Sequence, residues 1–427
     1  MAAGGTAGRP APVNPEGSAR ALHIERLVAG GDGLARDEGR VIFVPRSAPG
    51  EVVDAVPVRR GGVWRAWPTR IVAAAPERVP PPCAHFDTDR CGGCQWQHLT
   101  YEAQRRAKSG LIAEAFARIA KRSIDPPLVE AAASPWRYRR KLTLAMRRRD
   151  GGWLAGLHRA DAPGVIIPIR DCAITDSAVM AVWQAVLAAQ RHLPPTTEGR
   201  ASVRLHDDGS ASFVFEGGDH WPGAARFFAS VPALRSLWWH PIRGHRRCLA
   251  RREVAQRDDA SFVQVNAAVS AALRDHVVAL VADLSPAHII EAYAGTGELA
   301  WRLSEQGVRV TAIEADADAA KVAASRLAPP STVLTGTVEA RLREAFPADV
   351  LLVNPPRSGL HVAVTETLRA ARPAPRAVIY TSCDPATLAR DVARLPGWAV
   401  TALRGFDMFP QTSHVETVCL LRPESPA

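Results

Sequence analysis

Lysine is almost missing from this chain: Lys108, Lys121, Lys141 and Lys321 are the only four, so the 53 basic residues are nearly all arginine. Set against 43 Asp plus Glu they leave a formal charge of +10. The planar guanidinium fork suits phosphates, so a polyanionic partner is one expectation, although an arginine-biased proteome would give the same skew. No stretch approaches the roughly 18 unbroken apolar residues of a membrane span. Residues 1–19 lack the apolar core of a signal peptide and read as a disordered tail. A cytoplasmic chain without a membrane partner is therefore expected, and nothing in it implies an obligatory protein partner. Cys83, Cys91, Cys94, Cys172, Cys248, Cys383 and Cys419 are odd in number and unevenly spaced. That pattern excludes a disulfide framework and points to thiols used for metal binding or catalysis.

What is present divides into three parts, in line with 427 residues, 47% hydrophobic and 22% charged. Residues 20–76 alternate in short segments between glycine turns, which predicts a small OB-like Greek-key β-barrel of a kind that often binds oligonucleotides. The order Gly30-Gly-Asp-Gly-Leu-Ala-Arg36, Val41-Ile-Phe-Val-Pro45, Pro49-Gly-Glu51 resembles the TRAM domain of RNA-modifying enzymes.

Residues 77–255 form a second, α+β part that opens on Cys83, Cys91 and Cys94, the last two separated by a glycine pair. Three thiols this close reach one inorganic centre, and Cys172 is the nearest candidate for a fourth ligand. A structural zinc, a dithiol redox pair and an iron-sulfur cluster compete; no second Cys-x2-Cys is present, which lowers the case for zinc. A helix is predicted over Tyr101 to Arg122, helices and strands follow, and a hairpin turns at Asp207-Asp208-Gly209-Ser210. Pro135 to Lys141 interleaves Trp136 and Tyr138 with basic residues, as a phosphate-and-stacking surface would, or as a solvated strand face would. Residues 217–255 carry no usable pattern.

From 256 to 427 strands and helices alternate, predicting an α/β, doubly wound Rossmann-like sheet. Gly295-x-Gly297 follows an apolar strand, and Glu314 ends the next one, where an acidic side chain holds ribose hydroxyls. Ala300 stands where a dinucleotide fingerprint has its third glycine, so a single nucleoside such as S-adenosylmethionine fits better than a nicotinamide dinucleotide. Asn354-Pro355-Pro356-Arg357 ends a further strand, and Arg357 replaces the aromatic of an adenine amino-methylase motif. Cys383, in Ile-Tyr-Thr-Ser-Cys-Asp-Pro, falls where a strand gives way to a turn, at the ligand end of such a sheet.

Taken together, these motifs resemble the RNA uracil-C5 methyltransferase family, specifically its TRAM-bearing iron-sulfur members that modify large-subunit ribosomal RNA. The resemblance implies that Cys83, Cys91, Cys94 and Cys172 hold a 4Fe-4S cluster. It implies S-adenosylmethionine contacts at Phe262-x-Gln264-x-Asn266, Tyr293, Gly295, Gly297, Glu314 and Asn354. Ser382-Cys383-Asp384-Pro385 matches the nucleophile motif, and Asp407 to Pro410 with His414-Val415-Glu416-Thr417 the motif carrying the base. Two features depart from the pattern: Asn354 stands where Asp is usual, and the gap between Cys83 and Cys91 is long. The implied chemistry is addition of the Cys383 thiolate to carbon-6 of a uridine, most naturally in 23S rRNA, methylation at carbon-5, and removal of the carbon-5 proton by Glu416. Another RNA base, a transfer RNA uridine, or a catalytically silent RNA-binding assembly factor are the alternatives.

Overall fold

The computed structural model describes residues 18–149, 151–252 and 264–424. The expected tail (but for residues 18 and 19), Phe262 and the boundary expected at 255/256 lie outside the described residues. The chain divides into two compact units, one running to Pro80 and taking in Gln95–Thr100, the other comprising Pro81–Cys94 and Tyr101 onward.

In the first unit, β1 (Arg20–Leu27), β2 (Gly33–Asp37), β3 (Arg40–Val44), β4 (Val52–Ala55), β5 (Val58–Arg60), β6 (Val63–Arg65) and β7 (Pro68–Ala73) pair in the order β5-β6-β3-β2-β1-β4-β7. Their period-two alternation puts Leu22, Ile24, Ala35, Ile42, Val44, Val53 and Ala55 into one core. The unit also draws on chain beyond its strands. Trp96 donates its indole N–H to the Gly31 carbonyl at 2.8 Å, and the Val79 amide donates to His98 O at 2.9 Å. Glu51, fully buried, accepts from the Ala48 amide at 2.8 Å and from the Arg78 guanidinium. Burial pushes its carboxyl up, but the Arg78 and backbone donors more than offset this and hold it below the usual range.

The second unit contains two sheets. After α1 (Ala84–Asp87), α2 (Tyr101–Ala115) and a π-helical turn (Phe116–Ala120) comes the short β8 (Val129–Glu130). Then β9 (Lys141–Arg149), β10 (Gly152–His158), β11 (Ile166–Pro168), α3 (Ser177–Ala188), β12 (Glu198–Leu205), β13 (Ala211–Glu216), α4 (Ala224–Ser230), β14 (Leu234–His240) and β15 (Arg247–Arg251) follow. Strands β9 to β15 form one sheet, in the order β11-β10-β9-β12-β13-β14-β15. The helix predicted to Arg122 leaves regular α-geometry earlier, because its last turn widens and Lys121 closes it in a left-handed conformation (φ 56°). Residues 217–252, patternless in sequence, supply α4, β14 and β15; β14 runs parallel to β13, so no hairpin turn announces it.

The second sheet begins after α5 (Ala267–Leu284). It alternates β16 (His288–Ala292), α6 (Glu298–Ser304), β17 (Arg309–Glu314), α7 (Ala317–Arg326), β18 (Thr332–Thr335), α8 (Val338–Ala345), β19 (Val350–Val353), α9 (Val362–Ala370), β20 (Ala377–Ser382) and α10 (Pro385–Ala393). It ends with β21 (Trp398–Phe406) and β22 (Glu416–Pro423). The order is β18-β17-β16-β19-β20-β22-β21-β8, parallel through β20, with β22 antiparallel to both its neighbours. Strand order reverses between β16 and β19, and a ligand crevice forms at the carboxyl ends around such a reversal.

One buried polar group of contacts ties α2 to the loop between β21 and β22. Lys108 and Asp407, both without exposed side-chain surface, form an ion pair, and Lys108 Nζ donates to Phe409 O at 3.0 Å. Gln104 and Gln411 exchange two hydrogen bonds of 2.9 Å, and the Tyr138 hydroxyl donates to Pro410 O at 3.1 Å. Removing one member of a buried pair strands the other charge. Lys108→Met is therefore expected to lower stability by about 3–5 kcal/mol, with most of it regained in Lys108→Met/Asp407→Leu. Urea unfolding of the three proteins checks this; equal destabilisation of single and double variants would contradict it.

Candidate active site

Every residue of β20, Ala-Val-Ile-Tyr-Thr-Ser, is buried, as expected of a central strand covered on both faces. It stops at Ser382 because Asp384 caps the next helix, accepting from the Thr387 amide at 2.7 Å, and Pro385 takes the first helical position. Cys383 is the one residue between strand and cap. It is half-buried and unpaired with any other cysteine.

The β20–β22 ladder pairs Thr381 with Val418 and Ser382 with Thr417. One step further along the same register sets Cys383 opposite Glu416, which is only 4% exposed. Burial pushes the Glu416 carboxyl up to about 7, with Arg357 pulling the other way. Burial also raises the Cys383 thiol; the negative charge of Glu416 adds to this, and Arg357 opposes it. Thiol, carboxyl and guanidinium thus act on one another, and the carboxyl changes protonation near neutrality, where a general base works best.

Arg357 comes from the loop after β19. The loop is held to α10 by Thr387 Oγ1, which donates to Arg357 O at 3.3 Å, and by Arg390, which donates to Ser358 O at 2.7 Å. Its other anchor is Asp391, fully buried, whose Oδ2 accepts from the Leu360 amide and the Tyr380 hydroxyl, each at 2.8 Å. At Gly359 (φ 79°) a Cβ would lie 2.4 Å from the Arg390 guanidinium and from Asp391 Oδ2, so only glycine fits. Sequence reading missed Asp391, because a carboxylate flanked by Arg390 and Arg394 on a helix looks like a solvated charge cluster.

The predicted cofactor residues fall mostly at the carboxyl ends of β16, β17 and β19. Tyr293 follows β16 in a left-handed conformation (φ 63°), with burial pushing its hydroxyl up to about 12. Gly295 (φ 56°) faces open space, and its amide donates to Glu314 Oε2 at 2.7 Å; Glu314 Oε1 accepts from the Asp316 amide at 2.7 Å. Gly297 serves packing: a Cβ there would sit 2.7 Å from Ala323 Cβ of α7. Asn354 is exposed at the end of β19, its amide donating to Ala292 O at 3.4 Å. Gln264 lies elsewhere in the sequence, half-buried just ahead of Asn266, whose side chain caps α5 by accepting from the Val269 amide. Beneath the Tyr293–Gly297 turn is a residue that sequence reading passed over, Glu291 of β16, pushed up to about 8 by burial.

Cys91 and Cys94 are buried, and Cys83 and Cys172 half-buried. Cys83, Cys94 and Cys172 share an apolar cluster with Phe86, Tyr138 and Ile174, while Cys91 lies in the adjoining sheet core against which Cys172 also packs. Arg137 donates to Asp171 at 2.6 and 2.7 Å, and Cys172 and Cys83 help raise its pKa. Among the described residues, no three His, Cys, Asp or Glu side chains converge as a single metal ion requires. From Pro135 to Lys141, read either as a phosphate-and-stacking surface or as a solvated strand face, Arg137 stays exposed and the other side chains are partly or fully buried. Tyr138 is buried, Trp136 packs on the cysteine cluster, Arg137 binds Asp171, and Arg140 binds Asp207 and the His206 carbonyl.

The raised Glu416 carboxyl has a stability consequence. The folded state binds its proton more tightly than the unfolded chain, so the contribution is complete below about pH 4.5 and is lost as pH rises through about 7. Glu416→Gln is expected to exceed the wild type in stability by about 3 kcal/mol at pH 8 and to match it near pH 4.5. Urea unfolding at both pH values tests this; a difference independent of pH would contradict it.

A family model described as tRNA (Uracil-5-)-methyltransferase matches residues 338–424. The 23S rRNA (uracil(1939)-C(5))-methyltransferase RlmD of Pseudomonas putida is 32% identical, over 97% of this chain and 96% of its own length. The protein of the same name from Halomonas elongata is 31% identical, over 95% and 90%. Among solved structures, the Pyrococcus abyssi tRNA (uracil-54, C5)-methyltransferase in complex with S-adenosyl-L-homocysteine has a TM-score of 0.72 over 94% of this chain and 99% of that one. At 22% identity that likeness speaks for the fold alone. With such relatives aligned along nearly its whole length, the chain belongs to the RNA uracil-C5 methyltransferase family, a family of S-adenosylmethionine-dependent enzymes.

Proposed function

We propose that this protein methylates carbon-5 of a uridine in 23S rRNA, with Cys383 as nucleophile and Glu416 as base. The observation that carries the reading is the β20–β22 register, which sets a half-buried thiol opposite a carboxyl that titrates at about 7. The Cys383 thiolate adds to carbon-6, forming a C–S bond and passing the ring's electron pair toward carbon-5 and O4. S-adenosylmethionine, when bound, would supply the electrophilic methyl group to carbon-5, its S–CH3 bond breaking to leave the neutral thioether S-adenosylhomocysteine. Glu416 then takes the proton from carbon-5, the double bond re-forms, and the C–S bond breaks to return the thiolate. Arg357, which already favours both anions, balances the negative charge that develops. A base within a duplex is unstacked to reach Cys383.

Gln264, Tyr293, Gly295, Gly297, Glu314 and Asn354 hold the methyl donor in this reading. The open side of Gly295 and the carboxylate at the end of β17 suit a nucleoside, and Asn354 offers a side-chain carbonyl. Cys83, Cys91, Cys94 and Cys172 hold a 4Fe-4S cluster. Two buried and two half-buried cysteines, Cys83 and Cys172 of them near enough to Arg137 to act on its charge, suit a cluster that spreads its ligands over four irons. Its service is structural, tying residues 83–94 to the sheet edge at Cys172. Residues 20–76 act as a TRAM-type RNA-binding barrel, 77–255 as the cluster-bearing central domain and 256–427 as the methyltransferase domain. No helix among the described residues is long and apolar enough to cross a membrane, and a ribosomal RNA substrate places the enzyme in the cytoplasm.

Cys383→Ala is expected to abolish methylation and any covalent RNA adduct, and Glu416→Gln to accumulate the methylated adduct on denaturing gels. Turnover by the first, or product release at the normal rate by the second, would sink these roles. Mapping 5-methyluridine in ribosomal and transfer RNA with and without the gene identifies the substrate; loss confined to transfer RNA would reassign it. Anaerobically purified protein is expected to contain about four irons, lost in Cys94→Ser; stoichiometric zinc without iron would overturn the cluster.

A further inference from the structure

Of the four lysines, the fold takes in two and treats them differently. Lys108 is buried against Asp407. Lys141, half-buried at the start of β9, makes no hydrogen bond or ion pair through its ammonium among the described residues. Burial lowers its pKa; the neighbouring charges of Arg204, Arg200 and Arg139 lower it further, with Glu216 opposing them.

Strand register explains the crowding. Leu142, Leu144 and Met146 of β9 and Ala201 and Val203 of β12 enter the core, so Lys141, Thr143 and Ala145 share the opposite face with Arg200, Ser202 and Arg204. On that face Lys141 is paired directly with Arg204, Thr143 with Ser202, and Ala145 with the exposed Arg200. Like charges set opposite one another destabilise an antiparallel pair, and a local conflict of this kind is kept where function needs it. Further out, Glu216 stands across from Arg200 and Glu198 across from Arg147, so the positive excess centres on Lys141. At about 3.3 Å per residue, the Lys141–Arg204 and Ala145–Arg200 rows lie roughly 13 Å apart. Thr143 and Ser202 form a small hydroxyl-bearing floor between them.

A phosphodiester fits this arrangement: its non-bridging oxygens accept from an ammonium and from hydroxyls, and its charge relieves the repulsion between the rows. Arg139 joins the face to the candidate active site. Its Nε donates to Lys141 O at 3.0 Å, and its charge acts on His414, as do those of Arg357 and Asp384, which flank Cys383. We infer that Lys141, with Arg200, Thr143 and Ser202, holds a backbone phosphate of the RNA substrate near the target nucleotide. This rests on the RNA-methylating reading above, and the contact is independent of base sequence.

The test uses full-length protein and exploits the scarcity of lysine. Acetylation of Lys141 by an N-hydroxysuccinimide ester is followed by mass spectrometry, with the exposed Lys121 and Lys321 as internal references. It is measured alone, with a 23S rRNA transcript, and with inorganic phosphate at the same phosphate concentration. The transcript is expected to slow acetylation of Lys141 about fivefold or more while the reference lysines change little, and inorganic phosphate to have no such effect. Lys141→Gln and Arg200→Gln are each expected to raise KM for the transcript about three- to tenfold and to take about one from the log–log salt slope of binding, with kcat near wild type. Lys141→Arg restores both. Because Lys141→Gln removes a repulsion, it is expected to melt at or above the wild-type temperature, whereas a lysine with a merely structural role would lower it. Unprotected Lys141, or unchanged KM and slope in both Gln variants, would overturn the inference. So would equal protection of Lys121 and Lys321, or protection matched by inorganic phosphate. A protein whose Lys141 is shielded by RNA but which methylates none would instead remove the catalytic reading and leave the phosphate site standing.

Discussion

The antiparallel insertion of β22 between β20 and β21 is the constraint on which the candidate site depends. A parallel strand in that slot would run the other way and carry its first residue to the far edge of the sheet. Running antiparallel, β22 begins where β20 ends, and the ladder that pairs Ser382 with Thr417 leaves Cys383 facing Glu416. Because register in a buried sheet is set by which side chains enter the core, the apolar residues of Thr417 to Leu421 also determine where the carboxyl sits.

Around that pair the protein places ionisable groups where water does not reach, and each does a different task. Lys108 and Asp407 neutralise one another beneath the loop that leads into β22. Asp391 gathers an amide, a phenol and two guanidiniums and so fixes the loop bearing Arg357. Glu416 has no such compensation beyond Arg357 and is shifted to neutrality by burial. Surrounding it with more donors would stabilise its anion, and would also remove the basicity that a proton acceptor near pH 7 needs. A site of this kind holds some instability by construction, and the paired charges nearby keep its neighbours in place.

Legibility in the sequence followed the range of the interactions. The alternating strands and helices of the C-terminal part, the short strands of the first unit and the hairpin at Asp207–Ser210 were readable because period and turn chemistry are local. The strands β14 and β15 were not, since β14 joins its neighbour in parallel and β15 is arginine-rich where a strand ordinarily shows alternation. At Arg137 and Arg140 the sequence left a phosphate surface and a solvated face equally open, and the structure shows their guanidiniums paired with Asp171, Asp207 and a backbone carbonyl. A sequence shows that an arginine is present; which of its faces remains exposed depends on residues far along the chain.

By itself the sequence determined the local rules: a strand stopped by Asp384 and Pro385, a glycine turn after β16, an acidic residue ending β17, and seven cysteines, odd in number and unevenly spaced, that argue against a disulfide framework. Its likeness to relatives placed the chain in its family. Only the tertiary structure decided that Glu416 stands across from Cys383, that α2 secures the loop before it, and that Lys141 is set opposite Arg204. The reason is physical: burial and pairing register are properties of contacts between distant residues, and they alone set how strongly a carboxyl holds its proton or where a guanidinium points.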